Sequence, residues 1–249
     1  ITDISNLGFQ NINPGKANYI NFSVLVEAGN LQDLINLNAT FSNGNVARTN
    51  LSCARLANTN IITANYSCSV DIWYFDPAGE WNVTAAVVDA GGAIASRNET
   101  FVLMSEAFVS HQGVLSYGSL LPGDTNQIND LLLNNTGNDA FSEVRIIGRN
   151  LLQQPSGSNI IPSIDFSVSE LSASSCTSGI LLNHGIENTI SGVTLAVGNN
   201  SINTFNSASG QEELFICLRQ VPVGIPSAEY RAGGVNTWEI TTLPPHTFA

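Results

Sequence analysis

Charge is scarce in this chain and lysine is nearly absent. Only 11% of the 249 residues are charged, against roughly 25% in an average soluble domain. Eight Lys and Arg stand against 20 Asp and Glu, a formal charge of -12, and Lys16 is the sole lysine. Phosphate recognition needs clustered basic side chains, so a nucleic-acid partner is excluded, as is adhesion to an anionic lipid surface. With one lysine, at most one Lys–Asn or Lys–Asp isopeptide crosslink can form, through Lys16. No apolar run reaches the length of about 18 residues that a membrane-spanning helix needs, and no charged-then-apolar leader opens the chain. The start at Ile1 is what a mature product with its signal removed would give.

The usual catalytic signatures are missing too. There is no G-x-S-x-G elbow, no H-E-x-x-H, no G-x-x-x-x-G-K-[ST] and no G-x-G-x-x-G opening a helix. His111, His184 and His246 are scattered, and His184 beside Gly185 reads as a turn residue. Glu212 and Glu213 are adjacent on an expected strand, hence on opposite faces. An enzyme is not expected, nor a structural zinc site, which wants paired C-x2-C or nearby histidines.

What the chain does have is Asn, Ser, Thr and Gly, which keep its surface wet in place of Lys and Glu. At 43% hydrophobic it can fill two ordinary cores. The four cysteines fall as Cys53 and Cys68 in one half and Cys176 and Cys217 in the other. Of three possible pairings, pairing within each half closes the shorter loops without crossing a linker, so one disulfide per domain is expected. Persistent disulfides imply an oxidising, extracellular setting.

Period-two alternation runs through the first half. Ile20, Phe22, Val24 and Val26 share one parity; so do Ile35, Leu37, Ala39 and Phe41; Cys68, Val70, Ile72 and Tyr74; and Trp81, Val83, Ala85 and Val87. Turn signals separate them at Asn13-Pro14-Gly15, Asn43-Gly44-Asn45, Asp76-Pro77-Ala78-Gly79 and Asp89-Ala90-Gly91-Gly92. A further strand is expected over 96–103 and an edge strand within 4–12. In the second half, strands are expected over 114–121, 127–133, 143–149, 164–168, 190–197, 213–219 and 235–242, with 151–162 as a loop. The spacing suits hairpins, so the chain is read as all-β, two consecutive antiparallel β-sandwich domains over 1–108 and 109–249, separated near 106–113.

Two stretches carry a resemblance. The run Trp81-Asn82-Val83-Thr84-Ala85-Ala86-Val87-Val88-Asp89-Ala90-Gly91-Gly92 resembles the late hairpin of immunoglobulin-like modules in prokaryotic surface proteins. Leu133-Asn134-Asn135-Thr136-Gly137-Asn138, with Val221-Pro222-Val223-Gly224-Ile225-Pro226 and Tyr230 much later, resembles repeat modules of archaeal secreted and surface proteins. The resemblance implies two immunoglobulin-like β-sandwiches of an extracellular surface or filament protein. The cysteine spacing departs from the antibody pattern, so it does not imply a strand order.

Eight N-x-S/T sequons lie at Asn21, Asn38, Asn50, Asn65, Asn82, Asn98, Asn134 and Asn199, six of them before residue 101. Asn21, Asn38, Asn65 and Asn82 take the parity opposite to the apolar face of their strands and so point to solvent. N-linked glycans are the expected modification, and no cofactor or metal is expected. The oxygen-rich set Asp124, Asn126, Asn129 and Asp130 is the weaker expectation of bound calcium, with Asp71, Asp76, Glu80 and Asp89 as alternative ligands. Trp73 and Phe75 take the parity opposite to Tyr74, giving that strand large apolar groups on both faces, and are the expected subunit contact.

The features together point to a structural subunit of an extracellular cell-surface assembly: a filament, pilus-like fibre or surface layer. It would be glycosylated and disulfide-stabilised, and would polymerise with copies of itself head to tail, with β-strand donation from segment 1–12 or 243–249. The alternative is a secreted adhesin or glycan-binding module acting as a monomer, with Trp238, Asn236 and Arg231 as its site.

Overall fold

A computed structural model describes residues 1–15, 17–44, 46–112, 115–155, 157–172, 176–197, 210–233 and 237–243. Lys16, Asn199, Asn236 and segment 244–249 lie outside the described residues. The chain divides into two compact units, 1–106 with 137–139, and 107–136 with 140–249. Both are built of strands.

The first unit contains β1 (Asp3–Ser5), β2 (Phe9–Gln10), β3 (Ala17–Glu27), β4 (Leu34–Asn43), β5 (Val46–Asn50), β6 (Ala54–Asn58), β7 (Thr63–Trp73), β8 (Gly79–Asp89) and β9 (Ile94–Leu103). They form two sheets, β1-β3-β7-β6 and β2-β9-β8-β4-β5. All pairs are antiparallel except β2 with β9. With β3, β7 and β6 as strands B, E and D, and β4, β8 and β9 as C, F and G, this is the order of an immunoglobulin-type sandwich. The alternation read from the sequence is the cause: Ile20, Phe22, Val24 and Val26 on one sheet and Leu37, Ala39, Phe41, Trp81, Val83, Ala85 and Val87 on the other are all buried in one core. Each such large side chain contributes about 1.5–3 kcal/mol by leaving water. Phe41 bridges the sheets, with ring centroids 5.4 Å from Phe22 and 4.9 Å from Phe101.

The second unit contains β10 (Val109–Gln112), β11 (Thr125–Asn135), β12 (Glu143–Ile147), β13 (Leu151–Gln153), β14 (Ile160–Ile161), β15 (Phe166–Ser169), β16 (Ile180–Leu181), β17 (Glu187–Thr189), β18 (Gln211–Gln220), β19 (Tyr230–Arg231) and β20 (Glu239–Leu243). One sheet runs β10-β11-β18-β15-β16, and two short ones run β17-β12-β20 and β14-β13-β19. Leu131, Leu133, Phe166, Val168, Leu214, Ile216 and Leu218 from the first share a core with Val144 and Ile146 from the second.

Several expected strand limits change here. The segment 151–162 is a short hairpin, β13 with β14, instead of a loop. The described part of 114–121 is not a strand, although Leu115 and Tyr117 alternate: the Tyr117 hydroxyl donates to the Ile216 carbonyl (3.0 Å) and holds the segment as irregular chain against the core. The stretch 190–197 is broken at Gly192, whose φ of +85° suits glycine, and joins Phe141 only through an isolated bridge at Leu195. Strand β10 falls inside the segment 106–113 that had been read as a separator.

Candidate strand-binding cleft

Among the described residues, the sandwich order of the second unit is incomplete on one side. Taking β10, β11, β18 and β15 as strands A, B, E and D, and β12 and β20 as C and F, the seventh strand of the sandwich has no counterpart among the described residues. In the first unit β8 pairs with β4 on one edge and with β9 on the other. In the second, β20 pairs with β12 alone among the described residues. Strand β10, at the edge of the facing sheet, pairs with β11 alone among the described residues. Among the described residues, both edges therefore lack a further strand to take up their backbone N–H and C=O groups.

Between those edges lies a cleft of about 1030 Å3 that reaches the core. Its floor is apolar, from Leu131, Leu133, Ile146, Phe166, Ile216 and Leu218, and its walls include Val109 on β10 and Ile240 on β20. Trp238 forms part of the wall: its indole N–H donates to the Arg149 carbonyl (2.8 Å) and its ring meets Phe166 edge-on at 5.1 Å. At the rim Arg231 pairs with Glu229 at 2.6 Å and Arg149 with Glu239 at 3.1 Å, while the buried Nε of Arg149 has no hydrogen-bond partner among the described residues. Burial raises the pKa of Tyr117, so this wall residue stays a neutral phenol. An apolar trough beside an open strand edge has the chemistry to take an extended peptide, with backbone hydrogen bonds along β20 and alternate side chains in the floor.

Of the expected sugar site Trp238, Asn236 and Arg231, two residues are described and both line the cleft. Trp238 is turned into the wall, Arg231 is held by Glu229 at the rim, and Asn236 lies outside the described residues.

The structure pairs Cys53 with Cys68 and Cys176 with Cys217, with Cα separations of 4.5 and 5.5 Å. Cys68 lies on β7 and Cys53 between β5 and β6, so the first bridge is not the inter-sheet B–F bond of antibody domains.

Trp73, the last residue of β7, and Phe75, in the turn that follows, stack with centroids 5.8 Å apart; both are half-buried, Phe75 packs against the core, and the Arg48 guanidinium sits 6.0 Å from the Phe75 ring. Asp76 fixes this corner. Only 1% exposed, it accepts from the Trp73 amide (2.8 Å) and from Arg48 Nε (2.9 Å) and Nη2 (2.5 Å). This pairing raises the pKa of Arg48.

The expected calcium ligands do not converge. Asn126, Asn129 and Asp130 belong to strand β11, not to a loop, and neighbours on a strand point to opposite faces. The Asn126 side-chain Oδ1 accepts from the Cys176 backbone N–H, the Asn129 Nδ2 donates to the Ser116 carbonyl, and the Asp124 carboxylate accepts from Leu121 N–H. Of the alternatives, Asp76 is bound to Arg48 and Asp89 accepts from Gly91 and Ala93 N–H in its own turn. Among the described residues no three His, Cys, Asp or Glu gather closely enough to hold a metal ion.

The sequons separate by face. Asn21 and Asn65 lie on the outer side of β1-β3-β7-β6, and Asn38, Asn82 and Asn98 on the outer side of β2-β9-β8-β4-β5, where Asn82 is opposite Thr100 and Asn98 opposite Thr84. Asn50 differs. It is opposite the buried Ala39, so it faces inward, and its amide donates to the Ser69 carbonyl at 2.7 Å. Asn134 is half-buried on β11.

The segment 1–12, expected as free donor material, is engaged within its own unit. Asp3–Ser5 pairs with β3, Phe9–Gln10 with β9, and Ile4 and Ile12 are buried. The rest of the other expected donor, 244–249, lies outside the described residues. The cleft itself escaped the sequence reading because its floor residues read as ordinary core; the available signal was that the second half has too few strands after 219 to close a sandwich.

No family model matches the chain, and no characterised protein matches it in sequence. Among solved structures it is similar to the CsuC–CsuE chaperone–tip adhesion subunit pre-assembly complex of archaic Csu pili from Acinetobacter baumannii. That likeness has a TM-score of 0.39 at 11% identity, over 96% of this chain and 99% of that one. The secreted serine protease VesC of Vibrio cholerae gives 0.23 at 11%, over 95% of this chain and 49% of the protease. The C-terminal domain of the Streptococcus agalactiae AgI/II polypeptide BspA gives 0.23 at 11%, over 86% and 81%. All three come from bacteria, they differ in role, and at TM-scores of 0.39 and below the likeness carries no argument about function.

Proposed function

We propose that this chain is a structural subunit of an extracellular surface assembly, joined to its neighbour by an extended strand that fills the open side of the second sandwich. The observation that carries the reading is the β20 edge over an apolar cleft, which has no partner but β12 among the described residues, at the place where the first unit has β9. An apolar trough of this kind exposes core side chains to water, and a strand laid along β20 would cover them and satisfy the edge. Two disulfides fit an oxidising compartment outside the cell, and N-linked glycans on the outer faces would solvate a surface with so few charges. Copies of the same chain linked in this way form an open head-to-tail polymer. The Trp73–Phe75 stack is a second contact in that polymer.

Negative-stain microscopy and size-exclusion chromatography of native material test this. Fibres or multi-subunit particles are expected. Ile240→Asp, which puts a charge beside the floor, abolishes them while the circular dichroism stays that of a β protein, and Trp73→Ser does the same if the stack is a contact. Discrete monomers in native material refute the assembly and favour a secreted adhesin that acts alone.

A further inference from the structure

Tyr19 lies near the start of β3 with 67% of its surface in water. A single exposed aromatic is ordinary, but the neighbours of this one form a pattern. Two residues further along the same face is Asn21, also exposed, the first residue of the sequon Asn21-Phe22-Ser23. Directly across on β7, Asp71 is opposite Tyr19 and Ser69 opposite Asn21. Same-face neighbours along a strand are about 7 Å apart, and cross-strand pairs about 5 Å. A pyranose ring attached at Asn21 Nδ2 can therefore reach the Tyr19 ring, with the exposed Asp71 carboxylate alongside.

The other seven sequons have Asn36, Arg48, Thr63, Glu80, Ser96, Leu132 and Val197 at the position two before the asparagine, so the aromatic neighbour is particular to Asn21. Asn50 supplies the contrast within the same unit, since its amide is directed inward to a carbonyl and not outward along a face.

We propose that Asn21 carries an N-linked saccharide whose proximal sugar lies on the Tyr19 ring, with the Asp71 carboxylate accepting a hydrogen bond from a sugar hydroxyl. One face of a pyranose is a row of C–H groups, and the negative face of the phenol ring attracts them while both shed water. A carboxylate acceptor strengthens the hydroxyl contact relative to a neutral one. The linkage forms when Nδ2 displaces the phosphate of a phosphate-activated saccharide donor: the C1–N bond forms, the C1–O bond breaks with its electron pair going to phosphate, and one amide proton leaves to base. The stacked sugar covers the apolar face of Tyr19 and stiffens the outer side of β3 and β7. The proposal rests on the extracellular, glycosylated reading above.

Glycopeptide mass spectrometry of native material, followed by thermal unfolding of variants made in the same host, tests it. Asn21 is expected to be occupied. Asn21→Gln then lowers the melting temperature of the first unit by about 3 °C when residue 19 is Tyr or when Tyr19→Phe is present, and has almost no effect in the Tyr19→Ala background. The proximal sugar protons are shifted upfield by the ring in the Tyr19 protein and lose that shift in Tyr19→Ala. An equal loss in both backgrounds, with Asn21 occupied, overturns the stacking and leaves glycosylation standing. A bare Asn21 beside occupied Asn38 or Asn82 overturns the site alone, and bare sequons throughout overturn the glycosylated reading as well.

Discussion

The ion pair between Asp76 and Arg48 offers the sharpest test of how the first unit is held together, because its two halves are unequally solvated. The Asp76 side chain is 1% exposed, while Arg48 keeps 28% of its side chain in water. Breaking a buried pair by removing one partner costs about 3–5 kcal/mol, mainly through the charge left behind. In Asp76→Ala the charge left behind is Arg48, which can turn to water, so the loss lies near the lower end, at about 3 kcal/mol. It consists of two guanidinium bonds and the Trp73 amide left without its acceptor. In Arg48→Ala the stranded group is a carboxylate sealed from solvent that keeps the Trp73 amide but loses its counter-charge, so the loss approaches about 5 kcal/mol.

Thermal unfolding followed by circular dichroism, with disulfides kept oxidised, measures both. At about 4–8 °C per kcal/mol for a unit of this size, Asp76→Ala lowers the first transition by roughly 12–24 °C and Arg48→Ala by more. The double variant, with neither charge, is less destabilised than the sum of the two. An Asp76→Ala loss below about 1 kcal/mol, or a loss larger than that of Arg48→Ala, refutes the reasoning.

Removing either disulfide tests the chain-entropy account. With closed loops spanning 15 and 41 residues, Cys53→Ser with Cys68→Ser costs about 3 kcal/mol and Cys176→Ser with Cys217→Ser about 4 kcal/mol, read from denaturant unfolding against the parent. Glu212 provides a pH test. Its pKa is raised by burial, then by Glu170 and Glu213, so its carboxylate opposes folding once ionised, and that stability is lost as pH rises through the carboxylate range. Glu212→Gln therefore stabilises the second unit at neutral pH, and the gain vanishes in acid, below the ordinary glutamate pKa, when unfolding is compared at the two pH values. A gain that persists in acid refutes the electrostatic cause.

Much of the first unit is legible in its sequence. Eleven-residue strands such as β3, β7 and β8 repeat the two-residue period often enough to declare both their existence and their buried face. The outward parity of Asn21, Asn38, Asn65 and Asn82 follows from the same alternation. Strands β5 and β6, five residues each, carry too few periods, and Arg48 and Asn50 on the inward side of β5 break the apolar pattern because they serve the Asp76 pair and the Ser69 carbonyl. In the second unit the strands after β11 are mostly two to five residues long, so hydrophobic rhythm fades and partners at long range decide them.

By itself, then, the sequence determined an all-β chain, an absence of basic clusters and of spanning helices, and the inward and outward faces of its long strands. All of these are properties of composition and of a period that each strand carries alone. The tertiary structure alone decided the strand order, the inward turn of Asn50, the placing of Asp71 opposite Tyr19, and the edge of β20 that has no partner but β12 among the described residues. Each of these is a relation between segments far apart in the chain, set by which edges find hydrogen-bond partners and which do not.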